Sequence, residues 1–177
     1  MFLAEFFGYF SLSAFAMWAF LMAFFFNVFV FSIDIKRGTT LLLSSFVMMV
    51  SYTASDYFFT WFSYYETTYL DWATYDIVTI ASLLLVYQFI KKTTPSFLYL
   101  VTGLTLNLIL VSLMHLDVYI YKNLEPWFFW EIYTFGVNII DFLMVIALIV
   151  DRDFLGLHKL KNKLFKGSNI QPENNFS

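Results

Sequence analysis

Residues 127–150, WFFWEIYTFGVNIIDFLMVIALIV, constrain this chain more than any other stretch. The run is 24 residues long and is flanked by Glu125-Pro126 and by Asp151-Arg152-Asp153. At about 1.5 Å per residue, a helix of that length crosses a ~30 Å hydrocarbon layer. Its polar residues Glu131, Thr134, Asn138 and Asp141 follow one another at spacings of three, four and three. That spacing puts them in one stripe along one helical face. A carboxylate or amide turned toward lipid is costly, so the stripe has to face protein or a water-filled cavity. The run therefore reads as a membrane helix that lends one polar face to the inside of a bundle.

The rest of the chain has the same character. Charged residues make up 13 % of the 177 positions, against about 25 % in ordinary soluble chains. Hydrophobic residues make up 60 %, more apolar side chain than a soluble domain of this size can bury. Residues 1–5 carry Glu5 and no Lys or Arg, unlike the start of a signal peptide. Apolar runs follow at about 6–33, 41–62, 72–90 and 97–119, before the run at 127–150. The stretches between them are short and polar, and 63–71 (SYYETTYLD) reads as an interfacial loop. The fold expected is all-α: a bundle of five transmembrane helices.

Basic residues set the orientation. Nine of the ten lie in alternate loops and the tail, at Lys36, Arg37, Lys91, Lys92, Arg152, Lys159, Lys161, Lys163 and Lys166. Only Lys122 falls on the opposite side. The positive-inside rule then places the N-terminus outside and the C-terminus in the cytoplasm, as in a bacterial inner (plasma) membrane protein. Within 151–167, the segment FLGLHKLKNKLFK puts Phe154, Leu157, Leu160 and Leu164 on one face with lysines between. It reads as a basic amphipathic helix on the cytoplasmic leaflet, with Lys159, Lys161, Lys163 and Lys166 meeting anionic lipid. The alternative is a soluble tail that only enforces topology. Residues 168–177 are polar and read as a disordered tail.

Chemistry-bearing residues are few. Counted from the span ends, Asp56, Asp76, His115 and Glu131 all fall within roughly 6–9 Å of the outer edge, and Asp141 about 15 Å deeper than Glu131. No Lys or Arg lies inside a span to neutralise these acids. Acids grouped in low dielectric must be protonated, joined by a cation or hydrated. The expectation is an acidic vestibule of Asp56, Asp76, His115 and Glu131 that leads by Thr134 and Asn138 to Asp141. It would move or gate protons or small cations. Against this stand two plainer readings: polar groups that only fix helix packing, or outer groups that sit wet at headgroup level. Thr102, Thr105, Ser112 and His115 form a further polar line in the fourth span.

Enzyme chemistry is not expected. G-x-S-x-G and H-E-x-x-H are missing, and there is no cysteine for a thiolate site. One histidine at membrane depth cannot hold a haem through two, and no intramembrane lysine is present for a Schiff base. An intramembrane aspartyl hydrolase needs two aspartates sharing one water, and Asp76 and Asp141 are expected at very different depths. His115 and Asp117 form a weak metal pair. No cofactor, metal or nucleic acid is expected as partner. Homo-oligomerisation is expected, because five short spans leave little room for a path inside one copy. The second functional reading is a non-catalytic interaction protein, such as an accessory subunit, an immunity factor against a pore-former, or a sensor. Ala16, Ala19, Ala23 and Asn27 of the first span sit at helical spacing that would permit close approach of a neighbour, and under this reading a bulky residue at Ala19 or Ala23 would be disruptive.

Overall fold

Five helices form the computed structural model, and each packs its chain neighbours before the last closes back on the first. They are α1 (Leu12–Ser32), α2 (Thr39–Tyr57), α3 (Tyr69–Ile90), α4 (Pro95–His115) and α5 (Phe128–Val150). A π-helical turn, Leu116–Ile120, extends α4. The structure describes residues 12–33, 38–57, 69–91, 94–157, 159 and 162–163, with backbone only at 12, 13, 56 and 57. There is no strand among the described residues. Four of the helices are long and apolar enough to cross a membrane; α2 is shorter.

Periodicity accounts for the arrangement. In α1 the buried positions Ala16, Phe20, Ala23, Asn27 and Val30 follow one another alternately four and three apart, with Met17 buried beside Ala16. Phe15, Trp18, Met22, Phe25 and Phe29 repeat the same spacing on the exposed face. One stripe packs inside the bundle and the other is left for lipid. In α2 the buried face is mixed, with Leu41 and Met48 beside Thr40, Ser44 and Ser45, while Leu43, Phe46 and Val50 point out.

Capping fixes the helix ends. The Thr94 side chain accepts from Phe97 N–H at the start of α4, with Pro95 in the first turn. Asp151 closes α5 in the left-handed conformation (φ 49°), and its N–H donates to the Ala147 carbonyl. Ring closure between α1 and α5 includes Asn27 Nδ2 donating to the Leu148 carbonyl at 3.2 Å.

Successive helices run antiparallel, so the bundle has two distinct ends. One carries Lys91 and Arg152 and is called here the basic end. The other carries Tyr69, Trp72, Trp127 and Trp130 and is the aromatic end. The buried core of Phe20, Leu41, Met48, Leu83, Leu100, Leu104, Met144 and Leu148 fills the half toward the basic end. Toward the aromatic end the packing opens.

Several expectations need correction. Asp71 is not in a loop: α3 begins at Tyr69, and Asp71 is fully buried in its first turn, where the helix dipole favours an acid. Residues 151–156 are not part of an amphipathic helix. Tyr99 Oη donates to Asp153 at 2.9 Å and accepts from Leu155 N–H at 2.7 Å, while Phe154 stacks on the Tyr99 ring at 4.7 Å. The segment is folded back onto the start of α4, where Phe154 packs on Tyr99 and stays 40 % exposed, while the described residues 157, 159, 162 and 163 are helical. Lys159 and Lys163 are exposed; Lys161 and Lys166 lie outside the described residues. So do residues 1–11, residues 58–62 of the second expected span, and residues 168–177.

Candidate functional site: an acidic cavity inside the bundle

Asp141, in the fourteenth position of α5, is 7 % exposed and receives two hydrogen bonds from other helices. Tyr52 of α2 donates its hydroxyl at 2.5 Å, and Asn107 of α4 donates Nδ2 at 2.8 Å. Both reach Oδ1. Among the described residues no hydrogen bond reaches Oδ2. Asn107 is itself 3 % exposed, and its Oδ1 has no partner. A buried amide oxygen without a donor is costly, which makes Asn107 a site of unspent hydrogen-bonding capacity.

These groups lie at one cavity of about 290 Å³. All five helices line it: Ala16 from α1; Ser51, Tyr52 and Ser55 from α2; Trp72, Tyr75 and Asp76 from α3. Asn107 and Val111 come from α4, and Tyr133, Thr134, Val137, Asn138 and Asp141 from α5. Among the described residues the lining includes two carboxylates and no Lys, Arg or His. Next to it, Ser51 and Thr79 join α2 to α3 through their hydroxyls, and Thr79 Oγ1 also donates to the Tyr75 carbonyl at 2.6 Å.

Asp76 and Asp141 are not at different depths. The rings of Tyr69 and Tyr133 lie 5.8 Å apart at the aromatic end, and α3 and α5 run in the same direction. Seven residues on from each are Asp76 in one helix and Ile140, next to Asp141, in the other. The two carboxylates are within electrostatic reach of each other. Depth counted from span ends misplaced them because α5 starts about five residues' rise, ~8 Å, before the level at which α3 begins.

The other expected site residues divide. Thr134 and Asn138 line the cavity with Asp141, and each also bonds within its own helix: Thr134 Oγ1 to the Trp130 carbonyl, Asn138 Nδ2 to the Thr134 carbonyl. Glu131 is exposed and does not line the cavity, so the stripe leaves it at the first turn. His115 is outside the cavity and stacks on Tyr119 at 5.0 Å. Asp117 does not pair with it. Its carboxylate accepts from the indoles of Trp127 (2.9 Å) and Trp130 (3.0 Å) and from Asn123, fastening the α4–α5 connection. Asp56 is in the last described turn of α2, and its side chain lies outside the description. The acidic vestibule is thus rebuilt around Asp76 and Asp141, with Glu131 and His115 away from it.

Tyr52, Asn107 and Tyr133 were not singled out in the sequence. A signal existed for Asn107, which sits at helical spacing from Leu100, Leu104, Val111 and Met114, all buried. The polar line Thr102, Thr105, Ser112 and His115 pointed to a different face, where Thr105 and Ser112 are exposed. Thr105 satisfies itself by donating to the Val101 carbonyl at 2.7 Å. A hydroxyl that bonds its own helix can face lipid at little cost, whereas a primary amide needs other partners.

The chain gives no match to any protein-family model, to any curated protein or to any solved structure.

Proposed function

We propose that this is an integral membrane protein that takes up protons or small cations at Asp141 and moves or gates them across the bilayer. The observation that carries the reading is that Asp76 and Asp141 line one cavity whose lining, among the described residues, has no basic side chain. Two carboxylates out of bulk water retain both charges only with a cation or trapped water beside them. Tyr52 and Asn107 hold Asp141 in place, leaving its second oxygen for the ion. Thr134 and Asn138 line the approach.

In this reading all five helices cross the membrane, with the basic end in the cytoplasm of a bacterial-type cell and the aromatic end outside. The packed layer of Leu104, Met144 and Leu148 closes the route on the cytoplasmic side, so passage requires that layer to part. The lining residues described all come from one copy of the chain. Ala16 and Ala23 are buried, and Ala19 packs against the core of the same bundle.

The test is flux of protons and of sodium or potassium into proteoliposomes, with the intact protein compared with Asp141→Asn at equal reconstitution. Flux that is present in the first and reduced at least tenfold in the second supports the proposal. Equal flux in both removes Asp141 from the path, and no flux at any pH or voltage overturns the transport reading.

A further inference from the structure

We propose that the cation received by this cavity is an organic ammonium ion, a primary or methylated amine carrying an apolar group. The inference rests on the cation-handling reading above and specifies its substrate class.

Size is the first consideration. About 290 Å³ is far more than a proton or a dehydrated metal ion requires, and it lies at the lower edge of small-molecule pockets, roughly 300–1,000 Å³. The chemistry of the lining is the second. The carboxylates of Asp76 and Asp141 both lie on the lining and offer acceptor oxygens. An alkylammonium head brings up to three N–H donors and one positive charge, complementary to that set. An anion would meet two carboxylates and no basic group.

The walls are the third consideration. Trp72, Tyr75 and Tyr133 line the same cavity, and aromatic faces attract ammonium groups while accommodating an apolar substituent. A hard metal ion instead wants six or more oxygens in a tight shell. Among the described residues no cluster of three or more His, Cys, Asp or Glu is placed to hold a metal. The tyrosines make a poor substitute for such a shell and a good cage for a carbon-bearing cation.

The experiment is titration calorimetry on the full-length protein in lipid nanodiscs at constant pH and ionic strength. The probes are sodium, potassium, methylammonium, tetramethylammonium, 2-phenylethylammonium and its neutral counterpart 2-phenylethanol. Saturable binding of an organic ammonium is expected, at least tenfold tighter than the neutral alcohol. The binding should weaken at least tenfold in Asp141→Asn and several-fold in Trp72→Leu. Size-exclusion elution and circular dichroism matching the parent confirm that each variant is folded. Should Asp141→Asn fail to fold, the ammonium-to-alcohol ratio on the parent decides alone.

Equal binding of 2-phenylethanol, insensitive to Asp141→Asn, would mean a neutral apolar pocket and overturn the inference. Binding or Asp141-dependent flux of inorganic cations or protons, with no organic ammonium bound, would overturn this inference while leaving the proposed function intact. Absence of both binding and flux would overturn the two together.

Discussion

Asp141 is fixed by a phenol from α2 and an amide from α4, so three helices depend on one carboxyl oxygen. How much each bond contributes depends on whether the acid is charged. A hydrogen bond to a neutral group stabilises by about 0.5–1.5 kcal/mol, and one to a charged group by about 1.5–3 kcal/mol. Tyr52→Phe removes one donor while keeping the ring that packs 4.1 Å from Phe20. The substitution should therefore destabilise the bundle by about 1.5–3 kcal/mol if Asp141 is ionised, and by about 0.5–1.5 kcal/mol if it is protonated. Reversible unfolding in mixed micelles, with the variant compared with the parent and repeated in the Asp141→Leu background, which removes the acceptor, checks this. A loss that vanishes in that background assigns it to the Tyr52–Asp141 bond; a loss that persists assigns it to packing. At this scale the sequence was partly legible. Asp141, Asn138 and Thr134 could be read from their spacing, but their partners Tyr52 and Asn107 sit on other helices. No pattern along one chain segment shows which tyrosine crosses to which acid.

Among the elements, α4 has the most to accommodate, with Phe97, Leu100, Gly103, Leu104, Asn107, Val111 and Met114 all buried. Gly103 lets α5 come close: a Cβ there would lie 2.5 Å from Met144 Sδ and 3.2 Å from Ile140 Cγ2. Small residues at such crossings are a common device of membrane helix packing. Gly103→Val should overpack the crossing and destabilise by about 1–3 kcal/mol. Met144→Ala alone leaves a cavity and also destabilises, by about 2–5 kcal/mol. In the double variant the two defects fill each other, so the combined loss should be smaller than the sum of the single losses. Unfolding of all four proteins measures that difference; strict additivity would show that Gly103 and Met144 do not meet. The helices themselves were legible from hydropathy, because backbone groups in lipid permit little else. Their boundaries were less so. Asp71 looked like loop because it is charged and beside Trp72, yet the helix N-terminus and its burial hold it inside α3. Phe154 looked lipid-facing by its spacing with Leu157, but Tyr99 holds it against α4.

For the molecule as a whole, the closed arrangement of five helices separates a packed half from a hollow half, and orientation decides which side of the membrane the cavity serves. Depth could not be read by counting inward from each span, because neighbouring helices are not in axial register, as Tyr69 against Tyr133 demonstrates. Orientation can be tested directly, since the chain contains no cysteine and single cysteines can be introduced without background. Leu124, 74 % exposed in the α4–α5 connection, marks the aromatic end, and Lys91 and Arg152 mark the basic end. With nine of the ten basic residues in alternate loops and the tail of the sequence, the positive-inside rule leads to the expectation that a membrane-impermeant maleimide labels Leu124→Cys in intact cells. Lys91→Cys and Arg152→Cys should react only after the membrane is opened. The opposite pattern would leave the Asp76–Asp141 cavity as it stands but turn its approach toward the cytoplasm, reversing the direction in which an ion meets Asp141. Labelling of both ends in intact cells would mean that the bundle does not span the bilayer along its helix axes. The cavity would then be an interfacial pocket, and flux would no longer follow from it.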